Sequence, residues 1–167
     1  MRRTTALVSA LLAVLVTAAC AVTVPSDPEG TLDRVRDGRL RVGVTVREPW
    51  TSLPDGDDAP PAGLEVDLVT AFAEHLGAQV EWEVGSEEQL VADLEEGDVD
   101  LLVGGLTASS PWASRVALTR PYVTVPDEHG DEENHVMATR AGENAFLVEL
   151  ERFLIAQDVQ QDFGGLR

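Results

Sequence analysis

The sequence predicts an α/β fold in which a mainly parallel sheet is covered by helices on both faces. Segments with the two-residue alternation of a strand are followed by segments with the apolar spacing of a helix. This order repeats as strand, helix, strand, helix, strand, and parallel strands need such helical crossovers. The third strand, Val99–Val103, is almost entirely apolar, as expected of a strand buried on both faces.

The first two strands and the helix between them have clear sequence signals. Leu40–Val46 alternates apolar and polar residues and is rich in β-branched ones, which predicts a strand. Glu48–Pro61 holds four prolines and is predicted to be a loop. Apolar residues then recur at every fourth position, which predicts a helix ending at Gly77, and Gln79–Val84 is the next strand. The apolar helix positions are Leu64, Leu68, Phe72 and Leu76.

Two further helices are predicted from their N-terminal caps. Ser86 and Gln89 resemble a capping box, in which each side chain satisfies the other residue's backbone amide, for a helix that ends near Gly97. Ser110 is expected to cap a short helix whose first residue is Pro111, the position that proline favours.

The C-terminal part has weaker strand signals and a clear final helix. Val116–Thr119 and His135–Thr139 are the weaker strand candidates, separated by Asp127–Asn134, a predicted loop of almost pure charge. The last helix is marked by the apolar positions Phe146, Leu150, Phe153 and Leu154, and the tail from 157 is polar.

Length and composition limit the class of protein. The chain has 167 residues, 44% of them hydrophobic, which suits one domain with a buried core and excludes a chain that is disordered throughout. All basic residues are arginine, and the net charge is −18. Because this charge repels phosphate backbones, we exclude nucleic acid as a partner. The single cysteine excludes an internal disulfide.

The N-terminus has the pattern of a lipoprotein signal peptide. Arg2 and Arg3 precede the apolar run Ala6–Ala19, which would rise about 21 Å as a helix, less than the ~30 Å hydrocarbon core of a membrane. Val16–Cys20 resembles a lipobox, which implies cleavage before Cys20 and lipid attachment to its sulfur. The alternative is a plain secretory signal with an incidental cysteine.

Three blocks of sequence occur in a recognisable order. They are Leu40–Val44 with Pro49-Trp50 and Gly63–Leu68, then Leu90–Asp100, then Gly104–Thr107 continuing to Leu118–Tyr122. Together they resemble the first lobe of the bacterial extracellular solute-binding proteins of family 3, which feed amino-acid ABC importers. The resemblance covers Leu40 to Tyr122 and implies a Rossmann-like lobe of the type II periplasmic-binding-protein fold.

The family normally has two lobes, and its chain crosses into the second lobe just after a Pro-Tyr pair. Here Pro121-Tyr122 is followed by about a dozen mostly loop-like residues before a returning strand at His135. The resemblance therefore implies a single lobe. The expected organisation is a signal peptide over 1–19, an anchor and flexible linker over 20–30, the lobe over 31–156 with an acidic loop at 127–134 replacing the second lobe, and a polar tail over 157–167.

The resemblance also implies a ligand site. In the family, the first lobe contacts solute through the loop after its first strand and the turn after its Gly-rich strand. Thr107 matches the family's hydroxyl position. The candidate ligand-binding residues are Arg47, Trp50, Gly105, Thr107, Trp112 and Arg115.

Two of these positions depart from the family pattern. Arg47 stands near the position where the family has an aromatic residue that stacks on the ligand. Trp112 stands where the family has an Arg that forms two parallel hydrogen bonds to the ligand's carboxylate. Arg115 or Arg47 would supply the cation instead; the alternatives are a surface Arg and a solvated loop charge. Trp50 and Trp112 are alternatively packing residues, and tight strand packing explains Gly105 equally well.

Three functions are weighed. The first is a membrane-anchored solute-binding protein of an ABC-type transporter for a small polar or amino-acid-like solute, with a permease as partner. The second is a non-transport envelope module that binds another protein or itself as a homodimer. An enzyme is not expected, because no acid and base pair can be nominated. No cofactor is predicted, and the acidic segment with His129 and His135 is interpreted as a solvated loop rather than a metal site.

Overall fold

The computed structural model describes residues 26–54, 56, 59–127 and 129–157. The predicted signal peptide, Cys20 and the tail beyond 157 lie outside this range. Within it, no helix combines the length and apolar character that crossing a membrane requires. The elements are α1 (Thr31–Val35), β1 (Arg39–Val44), α2 (Leu64–Leu76), β2 (Gln79–Val84), α3 (Glu87–Glu96), β3 (Leu101–Val103), a 3₁₀ turn (Pro111–Ser114), β4 (Ala117–Leu118), β5 (Val123–Pro126), β6 (Glu132–His135), β7 (Ala138–Thr139) and α4 (Asn144–Ala156).

The predicted α/β architecture is confirmed. Five strands form one sheet in the order β2-β1-β3-β7-β4. Strand β1 is parallel to both neighbours, with Val42 opposite Trp82 of β2 and Leu101 of β3. Strand β7 is antiparallel to β3 and β4. The carboxyl ends of β1 and β3 therefore meet at one edge of the sheet, which we call the carboxyl edge; the opposite edge is the amino edge.

Helices cover both faces of the sheet, and each face has its own apolar cluster. On one face, Phe72 of α2 and Phe146 of α4 lie with ring centroids 5.9 Å apart and share a cluster with Leu101. On the other face, Leu90 of α3 shares a cluster with Leu102. Because successive strand residues point to opposite faces, a continuously apolar β3 fills both clusters.

Helix α2 buries a slightly different stripe from the one predicted. Leu64 and Leu68 are half-buried, whereas Glu65 and Val69 are buried. A repeat of four residues drifts around a helix with 3.6 residues per turn, so the predicted positions do not all face the core.

Strand β3 is shorter than predicted. It begins at Leu101, not Val99, because the carboxylate of Asp100 accepts the backbone N–H of Arg41 of β1 at 3.0 Å. The Asp100 side chain thus occupies the Arg41 amide, which in a continuing strand pair would donate to a backbone carbonyl.

The charged segment 127–134 was predicted as a loop, and this is wrong for its second half. Strands β5 and β6 form an antiparallel hairpin, with Val123 opposite His135 and Pro126 opposite Glu132. The predicted strand 135–139 is also divided, because Val136 and Met137 leave both sheets. Their amides bond to the Leu106 carbonyl and the Thr119 hydroxyl, respectively.

The capping predictions are partly correct. Ser86 Oγ accepts the Gln89 amide at 3.3 Å, but the Gln89 side chain bonds Asp93 instead of returning to Ser86. Ser110 Oγ accepts the Trp112 amide, and the helix it caps is a single 3₁₀ turn.

The end of the predicted flexible linker is held against the lobe. Asp27 accepts the amide of Leu32 in α1 at 2.7 Å and that of Phe146 in α4 at 3.3 Å. Glu143 accepts the amides of Glu29 and Thr31. Residues 26–30 and α1 therefore belong to the folded unit, which corrects the predicted linker boundary.

Candidate ligand-binding site

The candidate site lies at the carboxyl edge, around the turn that follows β3. Gly104 and Gly105 have φ values of 149° and 64°. A Cβ on Gly105 would lie 2.6 Å from Trp50 Cδ1 and 2.7 Å from Arg47 Cδ. Glycine is therefore required at position 105 both by its left-handed backbone and by the two side chains that close over it.

Glu65 holds this turn from within the core. Its side chain is fully buried, and its Oε2 accepts the amides of Gly104 and Gly105 at 2.7 and 2.8 Å. Its Oε1 accepts the hydroxyl of Tyr122 at 2.6 Å. Burial raises the pKa of Glu65 above its ordinary value, although the three donors and the charge of Arg47 oppose this. The amides of the turn are thus already occupied.

Glu65 was not among the predicted site residues. The available signal was its position, since Glu65, Val69 and Phe72 follow the helical spacing of one face. A carboxylate on a buried helix face needs hydrogen-bond partners in the fold. The sequence does not show that those partners are Gly104, Gly105 and Tyr122.

Arg47 lies directly over the turn. Its Nη1 donates to the Gly105 carbonyl at 3.1 Å, and its backbone amide donates to Thr51 Oγ1 at 2.9 Å. The residue is exposed, so the guanidinium keeps donors facing solvent. Arg47 places a cation at the carboxyl edge.

Trp50 packs inside the site. Only 6% of the residue is exposed, and its ring stacks on His135 of β6 with centroids 3.8 Å apart. The edge of Tyr122 lies against it, at 6.4 Å between centroids. This arrangement agrees with the packing alternative for Trp50, and a contact between Trp50 and a ligand stays a prediction.

His135 is a second residue that sequence reasoning did not place in the site. It is 2% exposed, and in the described part of the chain neither ring nitrogen has a hydrogen-bond partner. Its Nε2 lies 3.5 Å from Glu133 Oε2. Burial, together with the charge of Arg47, lowers the pKa of His135 from 6.5 to about 4. The Leu106 carbonyl opposes this lowering but does not accept a well-formed hydrogen bond from the ring. Because the pKa of His135 lies well below 7, the ring is neutral at pH 7.

Thr107 faces a groove between the turn and the hairpin. Its Oγ1 lies 2.9 Å from Ser109 Oγ, and the neighbouring Ala108 amide donates to the Asn134 carbonyl at 2.8 Å. Strand β6 is thereby fixed beside the turn. The groove has a volume of ≈ 470 Å³ and is lined by Thr107, Ala108 and Ser109 on one side and by Asp127, Glu132, Glu133 and Asn134 on the other.

Trp112 and Arg115 are not brought to this group. Trp112 Nε1 donates to Glu87 Oε1 of α3 at 2.5 Å. Arg115 pairs with Glu95 of the same helix, and its guanidinium lies 5.3 Å from the Trp112 ring centroid. Arg115 is thus placed as the surface-Arg alternative expects, with its charge paired to Glu95, and its role in ligand binding stays a prediction. Among the described residues, no group of three His, Cys, Asp or Glu side chains is placed to hold a metal ion.

The fold is that of a single lobe of a type II periplasmic binding protein. The family described as bacterial extracellular solute-binding proteins, family 3, matches residues 40–157, and the chain belongs to this family. The arginine-bound form of domain 1 from TmArgBP superposes with a TM-score of 0.64 at 21% identity, covering 74% of this chain and 97% of that one.

Curated relatives carry a different name. A membrane-bound lytic murein transglycosylase F from Maricaulis maris is 36% identical over 103 residues, 61% of this chain and 22% of that protein. A protein of the same name from Vibrio campbellii is 34% identical over 112 residues, 64% of this chain and 20% of that protein. The chain thus spans about a fifth of the length of these relatives.

Proposed function

We propose that this lobe is the solute-binding component of an ABC-type transporter, tethered by lipidated Cys20 to the outer face of a bacterial membrane, and that it binds a small polar, amino-acid-like solute. The observation that carries the proposal is at the carboxyl edge, where Arg47 donates to the Gly105 carbonyl and Thr107, two residues further along the same turn, lines the adjoining groove. Family membership supports this position, because solute meets the first lobe there.

The geometry suits a ligand with a carboxylate. The exposed donors of Arg47 offer charge-assisted hydrogen bonds, and the Thr107 hydroxyl adds a neutral partner that donates or accepts. One lobe encloses less of a ligand than two, and enclosure normally provides affinity. The relative described as an arginine-bound domain 1 supports binding by one lobe alone.

The test is thermal unfolding of the purified chain with a panel of amino acids, small carboxylates and polyamines at millimolar concentration. A ligand present at a hundredfold its Kd stabilises the fold by ~2.7 kcal/mol. For a domain of this size that raises Tm by roughly 5 °C or more. A transition that moves with one class of solute supports the proposal. A cooperative transition that no solute moves contradicts it.

A second candidate is an envelope module that acts without transport. It is favoured by the curated relatives, which are named for membrane-bound murein lysis rather than for transport. Val46 and Val84, 49% and 39% exposed, also place apolar surface at the carboxyl edge, where a protein partner or a second copy would pack. Co-sedimentation with purified murein and the mass in solution would separate this candidate from the first.

We also propose that the lobe itself performs no catalysis. Glu65, the buried carboxylate of the site, is occupied by two backbone amides and the Tyr122 hydroxyl, so it is not free to exchange protons with a substrate. The purified chain is expected to leave murein turbidity unchanged over hours. Clearing of the suspension would contradict this proposal.

A further inference from the structure

The base of the β5–β6 hairpin is joined to the turn after β3 by a chain of buried hydrogen bonds. Tyr122 immediately precedes β5, and its backbone amide donates to the His135 carbonyl of β6 at 3.1 Å. Its hydroxyl donates to Glu65 Oε1 at 2.6 Å, and Glu65 Oε2 accepts the amides of Gly104 and Gly105. A single carboxylate therefore connects the hairpin to the turn.

The two oxygens of this carboxylate have separate partners. Within the described part of the chain, the Tyr122 hydroxyl is the one hydrogen-bond partner of Glu65 Oε1, and the two glycine amides are the partners of Oε2. Glu65 has no exposed surface, so bulk solvent does not replace a lost donor. A buried charged group that loses a partner is strongly disfavoured in its existing arrangement. The bond from Tyr122 therefore determines how firmly Glu65 holds the turn.

Tyr122 is built to donate this hydrogen bond permanently. It is 9% exposed, and burial together with the charge of Glu65 raises the pKa of its hydroxyl above the ordinary value. The hydroxyl thus keeps its proton at any physiological pH. The edge of the ring lies against Trp50, which restricts its movement.

The turn needs such a restraint, because its two glycines allow many backbone conformations. Gly104 and Gly105 take φ values of 149° and 64°, and the Gly105 carbonyl accepts Arg47 Nη1 at 3.1 Å. Thr107 lies two residues further along and lines the adjoining groove. A rotation of the peptide groups at the two glycines would displace both the acceptor of Arg47 and the backbone that leads to Thr107.

We infer that Tyr122 and Glu65 are positioning residues of the solute site. Tyr122 keeps Glu65 in the orientation that binds both glycine amides, and Glu65 fixes the Gly105 carbonyl under Arg47 and the backbone that leads to Thr107. The inference rests on the proposed solute-binding function and adds that affinity depends on two residues that do not touch the solute. Through them, the base of the hairpin controls the carboxyl-edge site.

The first measurement is amide hydrogen exchange by NMR on the full chain, as wild type, Tyr122→Phe and Val69→Ala. Tyr122→Phe removes the hydroxyl and keeps the ring against Trp50. Val69→Ala is the matched control, because it removes buried apolar atoms from the helix that carries Glu65 but breaks no hydrogen bond. Strand β1, which is paired on both sides, gives the internal reference for global unfolding.

In Tyr122→Phe, exchange at Gly104 and Gly105 should accelerate at least about tenfold more than exchange in β1, since a hydrogen bond to a charged group is lost. In Val69→Ala, the turn and β1 should accelerate together. Glu65→Gln, whose NH₂ group cannot accept, should have an effect at least as large as Tyr122→Phe, and the double variant should add little to it. Equal acceleration of the turn and β1 in Tyr122→Phe would overturn the inference.

The second measurement repeats thermal unfolding of these chains with L-arginine, L-glutamine, succinate and 1,4-diaminobutane. For a solute that raises the Tm of the wild type, Tyr122→Phe should weaken binding roughly tenfold. At a hundredfold the wild-type Kd, this reduces the rise in Tm by about half, and Val69→Ala should leave the rise unchanged. An undiminished rise in Tyr122→Phe also overturns the inference, while solute binding stands. If no solute moves the folded wild type, the proposed function fails, whereas the exchange data still decide the role of Tyr122 and Glu65 at the turn.

Discussion

The buried carboxylates at the two edges of the sheet have different kinds of partner. At the amino edge, Asp100 is 3% exposed and is clamped by the guanidinium groups of Arg34 and Arg41. Burial would raise the pKa of Asp100, but these two partners outweigh it and lower the pKa. At the carboxyl edge, the donors that bind Glu65 within the described part of the chain are all neutral, and burial raises the pKa of Glu65. A buried carboxylate paired with cations stabilises the fold, whereas one held by amides and a hydroxyl orients a turn.

A second contrast concerns unmet polar groups. Glu143 and Asp27 satisfy the free amides of α1 and α4 near the amino edge. At the carboxyl edge, His135 is buried with both ring nitrogens unpaired among the described residues. A buried polar group without a protein partner needs an explanation, such as a bound water, an ion or a functional role. We therefore regard the carboxyl edge, with His135, Arg47 and Thr107, as the candidate functional end of the lobe, and the amino edge, with its paired Asp100, as a stabilising end.

The largest expected effect comes from breaking the clamp at the amino edge. Asp100→Ala should lower the free energy of unfolding by about 3 kcal/mol, the low end for a broken buried pair, because Arg34 and Arg41 remain partly in water. Urea unfolding measures this loss of stability. Glu81→Gln, which breaks the exposed pair with Arg39, is the control and should cost less than about 0.5 kcal/mol. Equal losses in the two variants would remove the distinction between the edges.

The next effect tests His135 through pH. Its pKa is depressed in the folded state, so the unfolded chain binds a proton first, and stability is lost as pH falls from 6.5 to about 4. The difference between these values corresponds to at most about 3 kcal/mol at acid pH. His135→Phe keeps an aromatic ring on Trp50 without a titrating group. Denaturant titrations across this pH range should show that the variant loses less stability than the wild type as pH falls. Parallel curves of stability against pH would contradict the depressed pKa of His135.

A smaller effect separates backbone strain from contact at the turn. Gly105→Ala should cost about 2 kcal/mol, because alanine is strained at φ 64° and its Cβ meets Trp50 and Arg47. Gly30, with φ 66° and open space around it, provides the matched control. Gly30→Ala should cost only the strain, about 1 kcal/mol. Chemical denaturation compares the two, and only Gly105→Ala should weaken solute binding.

The smallest effect defines the limit of the site. Trp112→Phe removes the bond to Glu87 but keeps an aromatic ring beside Arg115, and should cost about 1 kcal/mol. Solute affinity should stay within about twofold of wild type, since Trp112 and Arg115 are engaged with α3. A loss of affinity of tenfold or more would return Trp112 to the ligand site.

Much of the fold could be predicted from local pattern, while much of the site could not. Helices α2, α3 and α4 follow apolar spacing, and α2 and α3 also end at glycines. The existence of all three helices and most of their bounds were predicted correctly. The β5–β6 hairpin was missed because charged residues such as Glu132 and Glu133 disfavour strands on propensity alone. Pairing with β5 and with the turn after β3 outweighs that local preference.

The sequence by itself determined the α/β order, the family and the turn that carries Thr107, because each depends on residues close together in the chain. Only the tertiary structure decided what Glu65, Trp50 and His135 do. Their partners lie far away in sequence: Glu65 reaches Gly104, Gly105 and Tyr122, and His135 stacks on Trp50. A buried polar group is defined by the atoms packed around it, and those neighbours exist only once the chain has folded.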